Sequence, residues 1–548
     1  MDVRSVCIAS YGKLNSGESV NLRILATFVI SVYSCAFPAA AQLSVGGNVE
    51  TKRTLAPPKH VVEQVRAYRL ANEDRIMREL REFLAIPNVA SDTPNIKRNA
   101  TRLKEMLEAR GIETHLLSIE DRGPVVFGKL DTLGAARTMI FYAHYDGQPV
   151  DLSAWTDKSP FTPVLRDNAI EAGGKTISYP DSVTAPNSYK DDYRIYARSA
   201  SDDKSPIVAI LAALDALRAK NIPLAINLKF ILEGEEEAGS THLLQTLQLH
   251  KNLLAADLLI TGDGPVHQSG RPLLFFGNRG DIGLDITVYG PVRSLHSGHY
   301  GNWAPNPALT LSRLLASMKD ENGRVLIPGY YNDVEALGPV EQATLNAMPV
   351  NDSELQHELA LAKPDGSGQK LMELLQQPSL NIRGIRSGSV GEQATNIVPD
   401  KAEASLEARL VKGEDPHQKF QQISGFIRKQ GFFVVEHEPT LEERRAHPLV
   451  AKVIDGGGYR ASRTRMDLPV SKALVRILQD ATNHQTVVAP TLGGSVPMYI
   501  FEDLGLPWIG VPIVNYDNHQ HSSDENLRLG QLWSGIETYA ILLADLDW

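Results

Sequence analysis

The sequence predicts an α/β domain with a mostly parallel sheet, into which a smaller α+β domain is inserted. The α/β domain is predicted because short apolar runs alternate with segments of helical apolar spacing, as they do where helices connect parallel strands. The α+β domain is predicted because segments in the middle of the chain alternate apolar and polar residues, as half-exposed strands do. The first pattern then resumes, which indicates that one domain is inserted in the other.

Length and composition limit the class of protein. The chain has 548 residues, which exceeds one ordinary core and favours two or more domains. Hydrophobic residues make up 43% and charged residues 22%, values typical of a soluble globular protein. The net charge of -10 argues against nucleic acid or an anionic membrane as the main partner. We therefore expect no nucleic-acid binding and no stable membrane insertion.

Residues 1–41 are interpreted as a leader segment. Arg23 precedes an apolar-leaning run over residues 24–37, and small residues follow up to Ala41, which is typical of a secretory signal over about residues 23–41. The alternative is a buried or membrane-anchoring helix, although a membrane span needs roughly 20 apolar residues. We therefore expect an exported protein, periplasmic or secreted.

Both cysteines, Cys7 and Cys35, lie in this leader. The mature chain would therefore have neither a disulfide nor a cysteine nucleophile. Residues 32–34 match a lipidation signal poorly, so we favour a protein without a lipid anchor at Cys35. Residues 42–58 are mostly polar and contain glycine and proline pairs, so they are interpreted as a linker.

The first part of the α/β domain, residues 59–280, is predicted from alternating helices and strands. Helical apolar spacing occurs over residues 60–84, about 97–110 and 206–220, and from Ser240 onward. Short apolar runs typical of buried strands occupy residues 138–142, 226–232 and 258–260. The helix that begins near Pro206 is predicted to have Ser205 as its N-cap.

The inserted α+β domain is predicted over residues 281–465, and the α/β domain resumes over residues 466–548. The alternating strands of the insertion are predicted at 283–289 and 403–410, with helices near 308–319 and 416–430. In the last part, we expect a helix near 470–482 and an apolar strand near 507–514. Residues 168–190 are rich in Gly, Ser, Pro and Asp and predict a long loop beside the cleft.

Two histidines and several carboxylates lie at the ends of the predicted elements of the α/β domain. His144 follows one strand and His521 follows the last one, and the acidic positions at other ends are Asp202, Glu236, Glu237 and Asp263. Ligands of open α/β sheets gather at the carboxyl ends of the strands, so we expect these groups to converge. Imidazoles with several carboxylates suit a pair of zinc-like or manganese-like ions. A spare carboxylate is what metal-assisted hydrolysis needs as a base.

Each of these motifs has an ordinary structural explanation when it is taken alone. A histidine two residues before an aspartate is often a local hydrogen bond, residues 233–237 are typical of a solvated turn, and Asp202 can cap the following helix. Asp263 between two glycines is typical of a turn. The metal-site interpretation is favoured because all the motifs occur together and in sheet order.

The set of motifs resembles the M20 family of metallopeptidases and, within it, the carnosinase-like dipeptidases. The resemblance covers roughly residues 60–548 and preserves the order of the motifs. The matching stretches are residues 144–150, 201–204, 232–240, 295–298, 395–399, 493–497 and 521–522. The chain departs from the family where glycine-rich stretches usually flank the aspartate pair, because Ser199 and Ser205 stand in those stretches here.

The resemblance implies a site for two divalent metal ions, zinc with manganese or cobalt as alternatives. Asp202 would bridge the two ions, and its peptide bond to Asp203 would be cis. His144 and Glu237 would each complete one half-site, and the remaining positions would be filled by Asp263 and His521. Which ion takes which ligand stays open.

The resemblance also implies roles in catalysis and substrate binding. Glu236 would be the general base that takes a proton from the attacking water and delivers it to the leaving amine. Asp146 would orient His144 through its other ring nitrogen. His296 would reach the active site of the partner subunit and stabilise the oxyanion, which implies a homodimer through the inserted domain as a lid. The substrate's carboxylate or carbonyl would be held by Asn396, Arg409 and Ser495.

The leading function is therefore a two-metal hydrolase that cleaves the amide bonds of dipeptides or short peptides. Asp263, where some members of the family have glutamate, favours the aminopeptidase and dipeptidase side. An N-acyl-amino-acid amidohydrolase with the same machinery is the alternative enzyme. A non-catalytic exported binding protein is disfavoured because Glu236 and all five expected ligands are present. A single-zinc protease is disfavoured because the chain has no His-Glu-x-x-His motif.

Overall fold

The structure is a computed structural model that describes residues 57–119, 122–157, 159–180 and 188–548. The predicted leader, both cysteines and most of the predicted linker lie outside these residues. Within the described ranges, no helix combines the length and the apolar character that crossing a membrane requires.

The helices and strands are numbered in chain order. The strands of the described residues are β1 (Glu113–Leu117), β2 (Val125–Leu130), β3 (Thr138–His144), β4 (Val164–Arg166), β5 (Arg194–Tyr196), β6 (Asn227–Glu233), β7 (Leu258–Thr261), β8 (Leu273–Phe275), β9 (Gly277–Asn278), β10 (Gly280–Tyr289), β11 (Leu295–His296), β12 (Ser379–Arg386), β13 (Ile397–Val398), β14 (Lys401–Leu410), β15 (Phe433–Val435), β16 (Val450–Tyr459), β17 (Ser462–Arg463), β18 (Val487–Ala489), β19 (Trp508–Gly510) and β20 (Asn526–Arg528). The helices are α1 (Pro58–Leu84), α2 (Thr93–Glu108), α3 (Lys204–Ala219), α4 (Leu243–Leu249), α5 (Ser297–Tyr300), α6 (Pro307–Ala316), α7 (Pro339–Ala347), α8 (Asp352–Glu358), α9 (Leu371–Leu374), α10 (Pro416–Lys429), α11 (Leu441–Ala446), α12 (Pro469–Ala481), α13 (Tyr499–Asp503) and α14 (Leu529–Asp545).

The larger sheet is mixed, with a parallel centre. Its strand order is β1-β2-β6-β3-β7-β19-β8-β18. The neighbours β6, β3, β7 and β19 run parallel to one another, whereas β1 and β2 join antiparallel and β8 runs antiparallel to β19. The sheet is therefore parallel at the central strands, whose carboxyl ends carry the candidate ligands. Antiparallel pairs of strands lie on both sides of this centre.

The sheet is covered on both faces, which explains the continuous apolar runs of its central strands. Successive residues of a strand point to opposite faces, so Phe141 and Tyr142 of β3 belong to two different apolar clusters. Phe141 meets Phe230 and Tyr539 edge to face, with ring centroids 6.1 and 5.3 Å apart. The helices α1, α3 and α14 pack against one another on that face. Tyr142 meets Phe501 on the opposite face.

The second sheet is built from the predicted insertion. Its order is β12-β14-β10-β16-β15, antiparallel except between β15 and β16. Alternate residues of β14 are buried, as its apolar–polar alternation predicts, and their cluster includes residues of α6 and α10. The described residues, 57–119, 122–157, 159–180 and 188–548, belong to one compact unit, and the boundaries of the two domains within it stay a prediction.

The starts of helices α2 and α3 differ from the prediction. Helix α2 begins at Thr93 because the Asp92 side chain accepts a hydrogen bond from the backbone N–H of Asn95 and so caps the first turn. Helix α3 begins at Lys204, so Ser205 is not its N-cap, and the buried Ser205 hydroxyl has no hydrogen-bond partner among the described residues. The position before the helix is taken by Asp203.

The predicted loop at residues 168–190 is described over residues 168–180 and 188–190. An isolated bridge between Arg166 and Thr176 holds its first half. The carboxylate of Glu171 lies 3.5 Å from the imidazole of His519, two residues before His521. This half of the loop therefore contacts the segment that carries a candidate ligand.

Candidate metal centre

The parallel strands at the centre of the larger sheet bring the candidate ligands to one edge. His144 is the last residue of β3, and Asp263 lies two residues after β7. Glu236 and Glu237 lie in a 3₁₀ turn, Glu236–Ala238, that follows β6. Because β6, β3 and β7 are adjacent and parallel, their carboxyl ends meet at the same place.

Asp202 is shared by two groups of potential ligands. Its Oδ1 lies 2.9 Å from Nε2 of His144, and its Oδ2 lies 3.1 Å from Nε2 of His521. Nε2 of His521 is also 3.3 Å from Oε2 of Glu237. In each group the ligand atoms lie within 4.8 Å of one another, and the groups are His144 with Asp202 and Asp263, and Asp202 with Glu237 and His521. One carboxylate common to both groups is the arrangement that a bridged pair of ions requires.

The electrostatics of the five side chains fit divalent cations. Burial, followed by the charge of Asp202, raises the pKa of Glu237 to about 7 and that of Asp263 to about 6. Burial would raise the pKa of Asp202 too, but hydrogen bonds with His144 and His521 hold it below its usual range. A hydrogen bond to Asp202 raises the pKa of His521 to about 9. Oxygen and nitrogen ligands of this kind suit zinc-like ions.

Asp146 connects the end of β3 to the turn after β6. Its Oδ1 and Oδ2 accept hydrogen bonds from the backbone N–H groups of Glu236 and Glu237, at 3.1 and 3.0 Å. Nδ1 of His144 lies 3.2 Å from the backbone oxygen of Asp146 and 3.4 Å from Oδ1. Asp146 thus fixes an imidazole and the two glutamates relative to each other.

Glu236 lines a cavity of about 440 Å³ together with Asp202, Asp263 and His521. Burial raises the pKa of Glu236 well above its usual range, and the neighbouring carboxylates Asp263 and Glu237 act in the same direction. A carboxylate with a raised pKa beside potential metal ligands is suited to accept and release a proton.

The lining of this cavity also includes Arg409 and Ser495. Nη1 of Arg409, on β14, donates a hydrogen bond of 2.6 Å to Oγ of Ser495. Nε of Arg409 donates to the carboxylate of Glu407. The apolar part of the lining includes Phe275 and Leu492. The cavity therefore combines a cationic group, a hydroxyl and an apolar surface.

His296 and Asn396 are brought together, but away from this cavity. His296 ends β11 and pairs with Ile397 of β13, and Asn396 directly precedes β13. The backbone N–H of Ser297 donates to the backbone oxygen of Asn396 at 2.9 Å. Both residues are exposed. Nδ1 of His296 accepts a hydrogen bond from the N–H of Gly298, and its ring lies 4.5 Å from that of His299. Among the described residues, neither His296 nor Asn396 is part of the cavity lining.

The predicted cis peptide bond between Asp202 and Asp203 is confirmed. The serine that replaces a family glycine at 199 takes the left-handed conformation that glycine favours, with φ of 60°. Its hydroxyl accepts a hydrogen bond of 2.8 Å from Nδ2 of Asn88. A Cβ on Gly147 would lie 2.3 Å from Oγ of Ser199, so Gly147 is what lets this loop pass close by.

Two polar residues of the site were not predicted from the sequence. Nε2 of Gln148 donates a hydrogen bond of 2.7 Å to Oε2 of Glu237. Glu525 is buried and accepts hydrogen bonds from the loop that carries Asp202. The available signals were the position of Gln148 four residues after His144 and that of Glu525 four residues after His521.

A family profile, described as peptidase family M20/M25/M40, matches residues 180–545. The chain belongs to this family. The predicted family and the predicted class, a metal-dependent peptidase, are therefore confirmed. The α/β class is confirmed in its coarse form by the mixed sheet with helices and by the solved structures of the family.

Several members of the M20/M25/M40 family resemble most of the chain. The sequence is 24% identical over 496 residues to "Cys-Gly metallodipeptidase dug1" of Schizosaccharomyces pombe, which covers 86% of this chain and 96% of that protein. It is 27% identical over 533 residues to human "Beta-Ala-His dipeptidase", which covers 90% of this chain and 94% of that protein. The crystal structure of human carnosine dipeptidase 1 superimposes with a TM-score of 0.69 at 22% identity, covering 89% of this chain and 99% of that one. For the M20 family metallo-carboxypeptidase Sso-CP2 of Sulfolobus solfataricus the TM-score is 0.68 at 27% identity, covering 86% and 98%.

The predicted location outside the cell, periplasmic or secreted, is wrong. The prediction depended on residues 23–41, which lie outside the described residues. The relatives that cover most of the chain include dipeptidases of yeasts and of human, and these matches give no support for export. An apolar run followed by small residues is a short pattern that other amino-terminal segments also contain, so it was weak evidence.

Proposed function

We propose that this chain hydrolyses the amide bond of dipeptides or short peptides, with two divalent metal ions and with Glu236 as the general base. The observation that carries the proposal is Asp202, which two groups of ligand atoms share at the edge of the cavity that Glu236 lines. Dipeptides are supported as the substrate class by the two relatives, which are a Cys-Gly and a β-Ala-His dipeptidase. The cavity volume of about 440 Å³ is in the ordinary range for small-molecule sites.

The proposed metal ligands follow the two groups of side chains. One ion would be held by His144, Asp202 and Asp263, and the other by Asp202, Glu237 and His521. Zinc is proposed, with manganese or cobalt as alternatives. Two such ions supply Lewis-acid polarisation of the peptide carbonyl and a lowered pKa of the attacking water when they are bound.

In this proposal, residues of the chain itself transfer the proton. Glu236 takes it from the attacking water and later gives it to the leaving amine. Asp146 keeps the Glu236 backbone at a fixed position relative to His144, because it contacts both. Arg409 and Ser495 line the same cavity as Glu236, where they would hold the carboxylate or the carbonyl of the substrate.

We also propose that the region of the second sheet, residues 281–465, acts as a lid through which two chains form a homodimer. His296 and Asn396 lie side by side on its surface, exposed and outside the cavity of their own chain. A group that stabilises an oxyanion must lie within hydrogen-bond distance of it. His296 would meet this condition in the active site of the partner subunit.

The substrate class is tested by comparing dipeptides with N-acyl amino acids at a known metal content. We expect turnover of dipeptides with zinc, manganese or cobalt added to the metal-free protein, and loss of turnover after chelation. A preference for N-acyl amino acids over every dipeptide tried would contradict the proposed substrate.

Replacement of single ligands is expected to reduce the metal content. His144→Ala and His521→Ala should each retain fewer than two zinc ions per chain, since each removes one of three ligand side chains from a group. His437→Ala is the matched control, because this exposed histidine contacts Glu443 and belongs to neither group of candidate ligands among the described residues. Elemental analysis measures the ions, and two ions in both ligand variants would contradict the assignment.

Arg409→Met is expected to weaken binding of a dipeptide with a free carboxylate. A hydrogen bond to a charged group contributes about 1.5–3 kcal/mol, which corresponds to roughly a 10–100-fold higher KM. The same dipeptide with a C-terminal amide is the control, and its inhibition constant should change little. An equal change for the acid and the amide would contradict carboxylate recognition by Arg409.

A further inference from the structure

Glu525 is a buried carboxylate beside the metal centre that no step of the proposed reaction uses. It is 0% exposed. Its Oε1 accepts hydrogen bonds from the backbone N–H groups of Ser201 and Asp202, both at 2.9 Å. Its Oε2 accepts from the backbone N–H of Ser199 and from Nη1 of Arg198, both at 2.8 Å. All four donors belong to one segment, residues 198–202.

This segment ends at Asp202, so the hydrogen bonds to the Glu525 carboxylate determine the position and orientation of that proposed ligand. Three backbone N–H groups that point at one carboxylate restrict the dihedral angles of the loop, and one of them belongs to Asp202 itself. The charge of Arg198 offsets the cost of burying the Glu525 carboxylate. These contacts between protein groups hold the loop in one conformation.

Glu525 also lies on the segment that carries His521, a proposed ligand of the second ion. His521 precedes it by four residues, and β20 begins at the next residue, Asn526. Strand β20 pairs with β5, which leads into residues 198–202, and Oγ of Ser201 donates to the backbone oxygen of Asn526 at 2.7 Å. The loops of Asp202 and His521 therefore extend from two paired strands. Glu525 connects the two loops, because it follows His521 in the chain and accepts hydrogen bonds from the Asp202 loop.

We propose that Glu525 is a positioning residue for the metal centre: it fixes the Asp202 loop against the His521 loop, so that these two ligands face each other before an ion binds. This inference rests on the proposed metal site. The distance of 3.1 Å between Oδ2 of Asp202 and Nε2 of His521 is the contact that the arrangement maintains. Groups that orient metal ligands typically change metal affinity by about 10–100-fold when they are replaced.

Glu525→Gln removes this arrangement with a minimal change of shape. The amide keeps one oxygen, while its NH₂ group faces two of the four donors whichever way it is turned. We expect the zinc affinity of the metal-free protein to fall about 10–100-fold. Glu525→Asp keeps the charge but withdraws the carboxylate by about 1.5 Å. It is expected to lose affinity in the same direction and serves if the glutamine variant does not fold.

Glu414→Gln is the matched control for burial and charge. Glu414 is 4% exposed and accepts hydrogen bonds from Nζ of Lys419 at 2.5 Å and from the backbone N–H of Val411 at 2.8 Å. It is a buried, cation-paired carboxylate like Glu525, but it lies next to the second sheet, away from the ligands. We expect both variants to unfold at a lower temperature without metal, and only Glu525→Gln to bind zinc more weakly.

The measurement is zinc binding to the metal-free variants in competition with a chromophoric chelator, together with their thermal unfolding. A zinc affinity of Glu525→Gln within threefold of the unchanged protein would overturn the positioning role, and so would an equal loss in Glu414→Gln. If the unchanged chain binds zinc but hydrolyses no dipeptide, the proposed function fails, while a selective affinity loss in Glu525→Gln still supports the positioning role. Dipeptide hydrolysis with an unchanged affinity in Glu525→Gln would overturn this inference alone.

Discussion

Replacement of Glu236 by glutamine is expected to lower kcat by about 10²–10⁴-fold while the protein keeps its metal ions. The neutral amide has nearly the same shape as the carboxylate but cannot accept the proton of the attacking water. Glu236 is not a member of either group of ligands, so the metal content should not change. The turn itself should also persist, because Asp146 holds it through the backbone N–H groups and not through the Glu236 side chain.

Glu235→Gln is the matched control for this change. Glu235 is the preceding residue, and its carboxylate contacts Nδ1 of His242 at 2.7 Å instead of lining the cavity. We expect this control to keep kcat within a small factor of the unchanged protein. Steady-state kinetics with elemental analysis on the same samples separate the two effects. An unchanged kcat in Glu236→Gln with its metal in place would show that another group is the base.

The position of the candidate ligands at one edge of the sheet could be predicted because it depends on local patterns. Short apolar runs locate the parallel strands, and the polar residue that ends each run, such as His144 after residues 138–142, must lie at the carboxyl end. Parallel neighbours align these ends, so the three-dimensional cluster follows from sequence order. The half-exposed strand β14 is predictable for the same reason, since its apolar and polar residues alternate in the sequence and its buried residues alternate in the structure.

The contacts that hold the candidate ligands could not be predicted in this way, because they depend on pairing between distant segments. Glu525 meets Asp202 only because β20 pairs with β5, 332 residues away in the case of the bond between Asn526 and Arg194. No local sequence pattern predicts such a pairing. The antiparallel direction of β8 relative to β19 could not be predicted for a similar reason, because a buried apolar run looks the same whether its neighbour is parallel or antiparallel.

The start of α3 shows how a tertiary contact overrides a local signal. Serine before proline is a common helix start, which is why Ser205 was predicted as the N-cap. In the structure, Nζ of Lys204 donates hydrogen bonds to the backbone oxygens of Phe83 and Ile86, at 2.9 and 3.0 Å, next to the end of α1. Lys204 is thereby drawn into the buried first turn, and the helix starts one residue before the serine.

His296→Ala is expected to lower kcat by about 10²–10³-fold without releasing metal, as loss of an oxyanion-stabilising donor does. The residue lies outside the cavity of its own chain, so the effect requires the imidazole to act in the partner subunit. His299→Ala is the control, because its ring lies 4.5 Å from that of His296 on the same exposed surface. The His299→Ala variant should keep most of the activity if the loss of kcat is specific to His296. A similar loss in both variants would mean that removing any imidazole from this surface lowers kcat.

Heterodimers of His296→Ala and Glu236→Gln chains separate a role in the partner subunit from a role in the same chain. If His296 acts across the dimer, the site in the His296→Ala chain has its own Glu236 and receives the intact imidazole of the other chain. One of the two sites is then complete, and activity returns although each homodimer is inactive. If His296 acted within its own chain, both sites of the heterodimer would lack one group. Co-expression with two different affinity tags yields the purified heterodimer, and an activity no higher than that of the two homodimers would exclude the role of His296 in the partner subunit.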